Sequence, residues 1–195
     1  MFDIKQNAVC IVHAFIDTVT IRDAAVDATM GNGHDTLFLA KKITGSAKVY
    51  SFDIQKRAIQ KTEELLNANG LLNAVELIED DHQNIDKYIT SGIDAAMFNL
   101  GYLPNGDHSI ITRPRSTTNA LNKILQLLKV GGKVSIIVYV GHEGGMDELN
   151  AVESFLTELE TKSFCVVNIN HINRSLTPVI FLIERISSDE IKTSA

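Results

Sequence analysis

Cysteine is scarce in this chain. Cys10 and Cys165 are the two present in 195 residues, far apart and in hydrophobic surroundings. A disulfide framework is thereby excluded, and the pair reads as reduced, buried thiols of a cytoplasmic protein. No uninterrupted apolar run reaches the ~20 residues that cross a bilayer, so no membrane association is expected. The opening Met1-Phe2-Asp3-Ile4-Lys5-Gln6-Asn7 has neither a basic patch before an apolar run nor a small-residue cleavage site, which speaks against a signal peptide. The six histidines and two cysteines lack any ligand spacing, so no metal is expected. Positive charge is not in excess either. Lys and Arg number 18 against 24 Asp and Glu, a formal charge of −6, which argues against a generic nucleic-acid coat or a polybasic membrane binder. Linkers, repeats and low-complexity stretches are missing, and residues 1–195 read as one domain.

What remains is ordinary globular composition, 45% apolar and 22% charged, enough for a real core and unlike a disordered, coiled-coil or collagen-like chain. The charge is unevenly spread. Between Pro104 and Val140 stand Arg113, Arg115, Lys123, Lys129 and Lys133 against Asp107 alone. From Gly141 to Glu160 there are six acids and no Lys or Arg. A basic strip on an acidic body leaves room for a site-specific RNA contact.

Short β-rich runs alternate with helical ones. Strands are predicted over Ala24–Thr29, Lys48–Ile54, Val75–Glu79, Asp94–Asn99 and Lys133–Val140, nearly continuous apolar runs of the kind buried on both faces. Helix-spaced stripes lie between them: Leu37, Leu39, Ala40 and Ile43; then Ala58, Ile59, Leu65 and Leu66, stopping at Asn69-Gly70. Residues 116–128 carry a third stripe, stopped by Gly131-Gly132, and Val152, Phe155, Leu156 and Leu159 mark a fourth. An N-terminal helix with Ala8, Ile11, Val12, Phe15, Ile16 and Val19 is expected to pack across the sheet, with His13 on it as a hydrogen-bonded structural residue. Such alternation predicts a doubly wound α/β sheet with right-handed crossovers. Ser163–Ile169 and Pro178–Arg185 have no helix between them, which predicts an antiparallel pair at one edge.

Asp27-Ala28-Thr29-Met30-Gly31-Asn32-Gly33-His34-Asp35-Thr36 closes one strand and opens a helix. Glycine permits a sharp turn and close approach of a ligand, and the helix start offers free N–H groups. The context favours a cofactor loop but does not choose the cofactor; as a dinucleotide fingerprint it fails at the third glycine, where Thr36 stands. Asp53 ends the second strand, placed to bind both hydroxyls of a ribose. Asp81 and His82 follow the third, where an adenine edge or its ribose is read. Acids after successive strands favour an adenosine site. The candidate cofactor residues are Asp27, Thr29, Met30, Gly31, Asn32, Gly33, His34, Asp35, Asp53, Gln55, Asp81, His82 and Asn99.

Asn99-Leu100-Gly101-Tyr102-Leu103-Pro104 ends the fourth strand, where substrates bind in open α/β sheets. The Asn99 side-chain carbonyl and main-chain carbonyls exposed at Gly101 are acceptors for the N–H groups of an amine. Tyr102 is suited to lie against a planar base. The other reading of this segment is a plain strand-to-loop turn.

The combined pattern resembles the class I S-adenosylmethionine-dependent methyltransferases. Their acid-x-Gly-x-Gly-x-Gly motif reads here Asp27-x-Thr29-x-Gly31-x-Gly33, and Asn99-Leu100-Gly101-Tyr102 is similar to the Asn-Pro-Pro-Tyr loop of amino-group methyltransferases with both prolines replaced. The glycine segment, Asn99–Pro104 and the loop Gly141-His142-Glu143-Gly144-Gly145 resemble one small bacterial family long labelled "putative rRNA methylase". The resemblance implies a Rossmann-like α/β fold with a seven-stranded, mostly parallel sheet and an antiparallel C-terminal pair. It implies adenosylmethionine as cofactor and methylation of a tRNA wobble uridine, 5-aminomethyl-2-thiouridine becoming its 5-methylaminomethyl form. The anticodon stem-loop would then be the partner, with a homodimer expected. Asn99, Gly101, Tyr102 and His142 become the catalytic candidates, and His142, Glu143 or Asp107 the proton acceptor. For the RNA the candidates are Tyr102, Pro104, Arg113, Arg115, Thr117, His142 and Glu143. The alternative for 113–119 is a solvated helix start with Ser116 as N-cap. Methylation of rRNA or a small amine, and a Rossmann-type nicotinamide oxidoreductase, remain the other readings.

Overall fold

The computed structural model describes residues 8–90, 92–101 and 113–187. The strands are β1 (Ala24–Asp27), β2 (Lys48–Asp53), β3 (Val75–Glu79), β4 (Ile93–Leu100), β5 (Leu128–Val138), β6 (Phe164–Ile169) and β7 (Val179–Arg185). The α-helices are α1 (Ala8–Ile16), α2 (His34–Ala40), α3 (Lys56–Ala68), α4 (Pro114–Leu127) and α5 (Gly145–Thr157), with short 3₁₀ helices at Leu72–Ala74 and His82–Lys87. The sheet order is β3-β2-β1-β4-β5-β7-β6. Pairing is parallel from β3 to β5, and antiparallel for β5–β7 and β6–β7.

Strand periodicity divides the core in two. Along β4, Ala96 and Phe98 face one side of the sheet with Val26, Phe52, Val134 and Ile136, beneath Leu121, Ile124 and Leu125 of α4 and Val152 of α5. Ala95 and Met97 face the other side with Ala25, Val49, Ile137 and Ile180, beneath Val12 and Ile16 of α1, Leu39 of α2 and Leu66 of α3. A sheet covered on both faces needs apolar residues at consecutive positions, and this is why β4 reads as a continuous run. Each of the larger side chains among them (Val, Leu, Ile, Phe, Met), fully buried, contributes about 1.5–3 kcal/mol.

The structure corrects several boundaries. α4 begins at Pro114, whose fixed φ and missing N–H suit the first helical position, after an extended Arg113. Ser116 therefore lies inside the helix and is not its N-cap. The Gly131-Gly132 pair does not stop the helix; it lies within β5. There Leu128 pairs with Ile93 but Lys133 with Ala95, so the extra residues bulge out, with Gly131 at φ +77°. Both cysteines are free, but they are exposed where burial was expected: Cys10 is on the outer side of α1 and Cys165 on the edge strand β6. Asn69-Gly70 does end α3, Gly70 taking φ +67°. Among the described residues no helix is long and apolar enough to cross a membrane.

Candidate cofactor and target cleft

The strand order reverses between β1 and β4, so the loops after these two strands diverge and leave a crevice at their carboxyl ends. A cleft of about 550 Å³ opens there. Its walls come from the β1–α2 loop, the ends of β2, β4 and β5, the Asp80–His82 turn and the start of α4.

Asp27, expected to touch the cofactor, does not border the cleft. It is fully buried, and its carboxylate braces the loop. Oδ1 accepts the Thr29 N–H at 3.1 Å and Oδ2 accepts the Thr36 hydroxyl at 2.6 Å, with Ser51 Oγ 2.7 Å further on. Burial pushes the carboxyl up to about 7, and the charge of Asp35 adds to the shift. Thr29, which occupies the class motif's first glycine position, accepts the Asn99 backbone N–H on Oγ1 at 2.7 Å. The threonine ties the end of β1 to the end of β4.

The two glycines of the loop do different work. Gly31 borders the cleft at φ +54° and donates its N–H to Asp53 Oδ2 at 3.0 Å. Gly33, at φ +80°, lies away from the cleft; a Cβ there would stand 2.6 Å from Thr62 Oγ1. It is glycine so that α2 can begin against α3, and the expected ligand contact is corrected accordingly. Asn32, His34 and Met30 border the cleft, and Asn32 is held by Lys61 Nζ at 3.2 Å.

Asp53 accepts Gly31 N–H on one oxygen and Gln55 N–H, at 2.9 Å, on the other. Each oxygen keeps a lone pair for a hydroxyl donor. Burial raises its carboxyl, with the backbone N–H donors pulling the other way. Ile54, 55% exposed, borders the cleft next to it and offers an apolar surface to a flat ring. Asp81 caps the following 3₁₀ helix through the Gln83 N–H and accepts the Ser116 hydroxyl. Burial alone would raise Asp81, but the donors Gln83 and Ser116 outweigh it and hold the carboxyl below its usual value. His82 Nδ1 bonds the Ala28 carbonyl at 2.9 Å, and burial lowers its pKa.

On the opposite side, Asn99 presents a side-chain oxygen that is buried and has no hydrogen-bond partner among the described residues. An unsatisfied buried acceptor costs about 1–3 kcal/mol, which a bound N–H donor recovers. Asn99 Nδ2 lies 3.5 Å from Asp35 Oδ2, and Asp35 Oδ1 lies 2.6 Å from His13 Nε2. Gly101 and His142 border the cleft as well; His142 Nδ1 bonds the Glu143 carbonyl at 2.8 Å. In the glycine loop after β5, Gly145 is the position that must be small, because a Cβ there would meet the Tyr139 carbonyl at 2.6 Å.

The RNA candidates separate. Arg113 borders the cleft and is exposed; Arg115 and Glu143 are exposed but do not border it. Thr117 is completely buried and donates to Glu148 Oε1 at 2.6 Å, so it joins α4 to α5 and is withdrawn as an RNA contact. Tyr102, Pro104 and Asp107 lie outside the described residues. Sequence reasoning missed Ser116, Tyr139, Ile54 and Leu176 as wall residues. Ile54 carried a signal, an apolar residue directly after a strand-ending acid; Leu176, in the β6–β7 connection, carried none.

A doubly wound sheet closed by an antiparallel pair, with an acid after β2 and a glycine turn after β1, defines a class I S-adenosylmethionine-dependent methyltransferase. The donor set fits the cofactor: Asp53 for ribose hydroxyls, Ile54 for the adenine face, Gly31 for close backbone approach. The comparisons agree. The model of the "Putative rRNA methylase" family matches residues 49–185, and the chain belongs to that family. It is 35% identical over 193 residues to the Arabidopsis thaliana protein named chloroplastic tRNA (mnm5s2U34)-methyltransferase, covering 93% of this chain and 70% of that one. A "putative rRNA-methylase" from Clostridium thermocellum is 43% identical with a TM-score of 0.89, over 93% of this chain and 98% of its own. A "putative methyltransferase" from Streptococcus mutans in complex with SAH is 40% identical with a TM-score of 0.85, over 93% and 99%.

Proposed function

We propose that the protein methylates the primary amine of a tRNA wobble uridine, 5-aminomethyl-2-thiouridine, giving the 5-methylaminomethyl form. The observation that carries this reading is the Asn99 Oδ1 at the cleft wall, buried and without a hydrogen-bond partner among the described residues. An amine has the N–H donors that this acceptor lacks. The printed name of the Arabidopsis relative supplies the substrate class, and it supports tRNA over the rRNA of the family description.

Adenosylmethionine, when bound, supplies a methyl group already activated by a positively charged sulfur. The protein's part is therefore placement and charge. Asp53 and Gly31 hold the nucleoside end. Asn99 Oδ1 turns the amine by one N–H, leaving its lone pair to point along the cleft, and stabilises positive charge as it develops on nitrogen. Thr29 and Asp27 keep β1 and β4 in register so that both halves of the site face one another. Arg113, exposed at the cleft edge, is suited to a phosphate of the anticodon loop. A wobble base is unpaired in free tRNA and enters a pocket without opening a duplex.

The test is nucleoside mass spectrometry of RNA incubated with the protein and methyl-labelled adenosylmethionine. We expect label in 5-methylaminomethyl-2-thiouridine from tRNA. Label in rRNA nucleosides alone would contradict the reading.

A further inference from the structure

Asp35 stands second in α2, yet it is only 7% exposed and points inward, where it borders the cleft. One of its oxygens is taken by His13 Nε2 at 2.6 Å. The other faces Asn99 Nδ2 across 3.5 Å, too far for a strong bond, and a carboxylate oxygen can accept a second donor. Asp35 Oδ2 and Asn99 Oδ1 thus form a pair of acceptors on one wall. A neutral ligand has no need of a carboxylate there; an ammonium does. His13 comes from α1, an element remote in sequence from both motifs. Its ring lies flat on Phe38, 3.9 Å away and 6° from parallel, and its side chain is 26% exposed. Among the described residues, the Asp35 charge also raises the carboxyl of Asp27 from β1 and the phenol of Tyr139 after β5.

We propose that Asp35, positioned by His13, receives the target ammonium beside Asn99 and takes its proton. This inference rests on the functional reading above and assigns Asp35 to the target, not to the cofactor as its place in the glycine motif suggests. It also moves the proton away from His142, Glu143 and Asp107. The amine arrives as an ammonium. One N–H bond breaks, its electron pair stays on nitrogen as the nucleophilic lone pair, and the proton forms an O–H bond on Asp35. From there it passes to water, while His13 keeps its Nε2–H on the other carboxylate oxygen. Each turnover releases one proton and leaves both residues as they began.

Two tRNAs that differ only in whether the wobble uridine carries the aminomethyl group test this by binding, with adenosylhomocysteine present. A charge-assisted hydrogen bond is worth about tenfold or more in affinity, so wild-type protein should prefer the aminomethyl tRNA by about that factor. Asp35→Asn should lose the preference, keep adenosylmethionine affinity within about threefold, and transfer methyl at least about 100-fold more slowly at pH 7, recovering as pH rises and solvent deprotonates the amine. His13→Gln, which retains an N–H toward Asp35, should keep the tRNA preference, whereas His13→Leu should weaken it. Undiminished preference and rate in Asp35→Asn overturn the inference. So does a loss of adenosylmethionine affinity in step with the rate, which would return Asp35 to the cofactor. Wild-type protein that binds adenosylmethionine but methylates neither tRNA overturns the functional reading, and the inference falls with it.

Discussion

Asp53 holds the loop after β1 and, on the proposed reading, would also hold the cofactor's ribose. Its oxygens already hold the Gly31 and Gln55 N–H groups, so Asp53→Ala removes a ligand contact and loosens the loop together. We expect the adenosylmethionine dissociation constant to rise at least about tenfold, read by calorimetry; an unchanged value would remove Asp53 from the site. Asp27 behaves differently because it is buried and its carboxyl is raised to about 7. A raised acid binds its proton more tightly folded than unfolded. Its contribution to stability is therefore full below about pH 4 and is lost as pH climbs through about 7. The slope is at most about 1.4 kcal/mol per pH unit. Asp27→Asn imitates the protonated form, since its amide can donate to Thr36. It should flatten the fall in melting temperature between pH 4 and 7, measured by thermal unfolding; the same slope in both proteins would contradict the raised value. These residues also mark where the sequence was readable and where it was not. Asp53 was legible because a strand-ending acid faces the crevice. Asp27 and Thr117 looked like ligands because residue type does not tell whether a carboxylate or hydroxyl points to the cleft or to a neighbouring helix.

At the scale of elements, the glycine loop is built as much for helix packing as for a ligand. Gly33→Ala forces a Cβ into Thr62 and a side chain onto φ +80°. We expect a loss of about 1–3 kcal/mol in unfolding free energy, with Thr62→Ala restoring part of it by making room but not curing the backbone strain. No rescue at all would show that the contact contributes nothing. The helices and strands themselves were largely legible, since continuous apolar runs and 3.6-residue stripes each admit one arrangement in a two-faced sheet. Boundaries failed where a local signal competed with sheet register. Gly131-Gly132 reads as a helix stop, yet the chain passes from α4 into β5 without a loop and uses the glycines to bulge. The burial expected of Cys165 failed for a related reason: an edge strand leaves positions open, whatever their hydrophobicity.

For the whole molecule, the strand order matters most. Reversal between β1 and β4 brings together residues as distant as His13, Asp35, Asp53 and Asn99. The strand alternation showed the sheet, and the motifs showed the cofactor half. The contribution of α1 was not visible, because nothing in the spacing of His13 points to a residue 22 positions away. On the proposed reading, methyl transfer depends on Asn99 orienting a nitrogen while Asp53 and Gly31 hold the donor, so the two functions should separate by mutation. The direct measurement is single-turnover methyl transfer to tRNA containing 5-aminomethyl-2-thiouridine, compared between wild type and Asn99→Ala with cofactor affinity measured alongside. We expect the rate to fall about 100-fold or more, the scale of losing one transition-state hydrogen bond, while adenosylmethionine binding changes little. Equal single-turnover rates in the two proteins would contradict the assignment of the cleft.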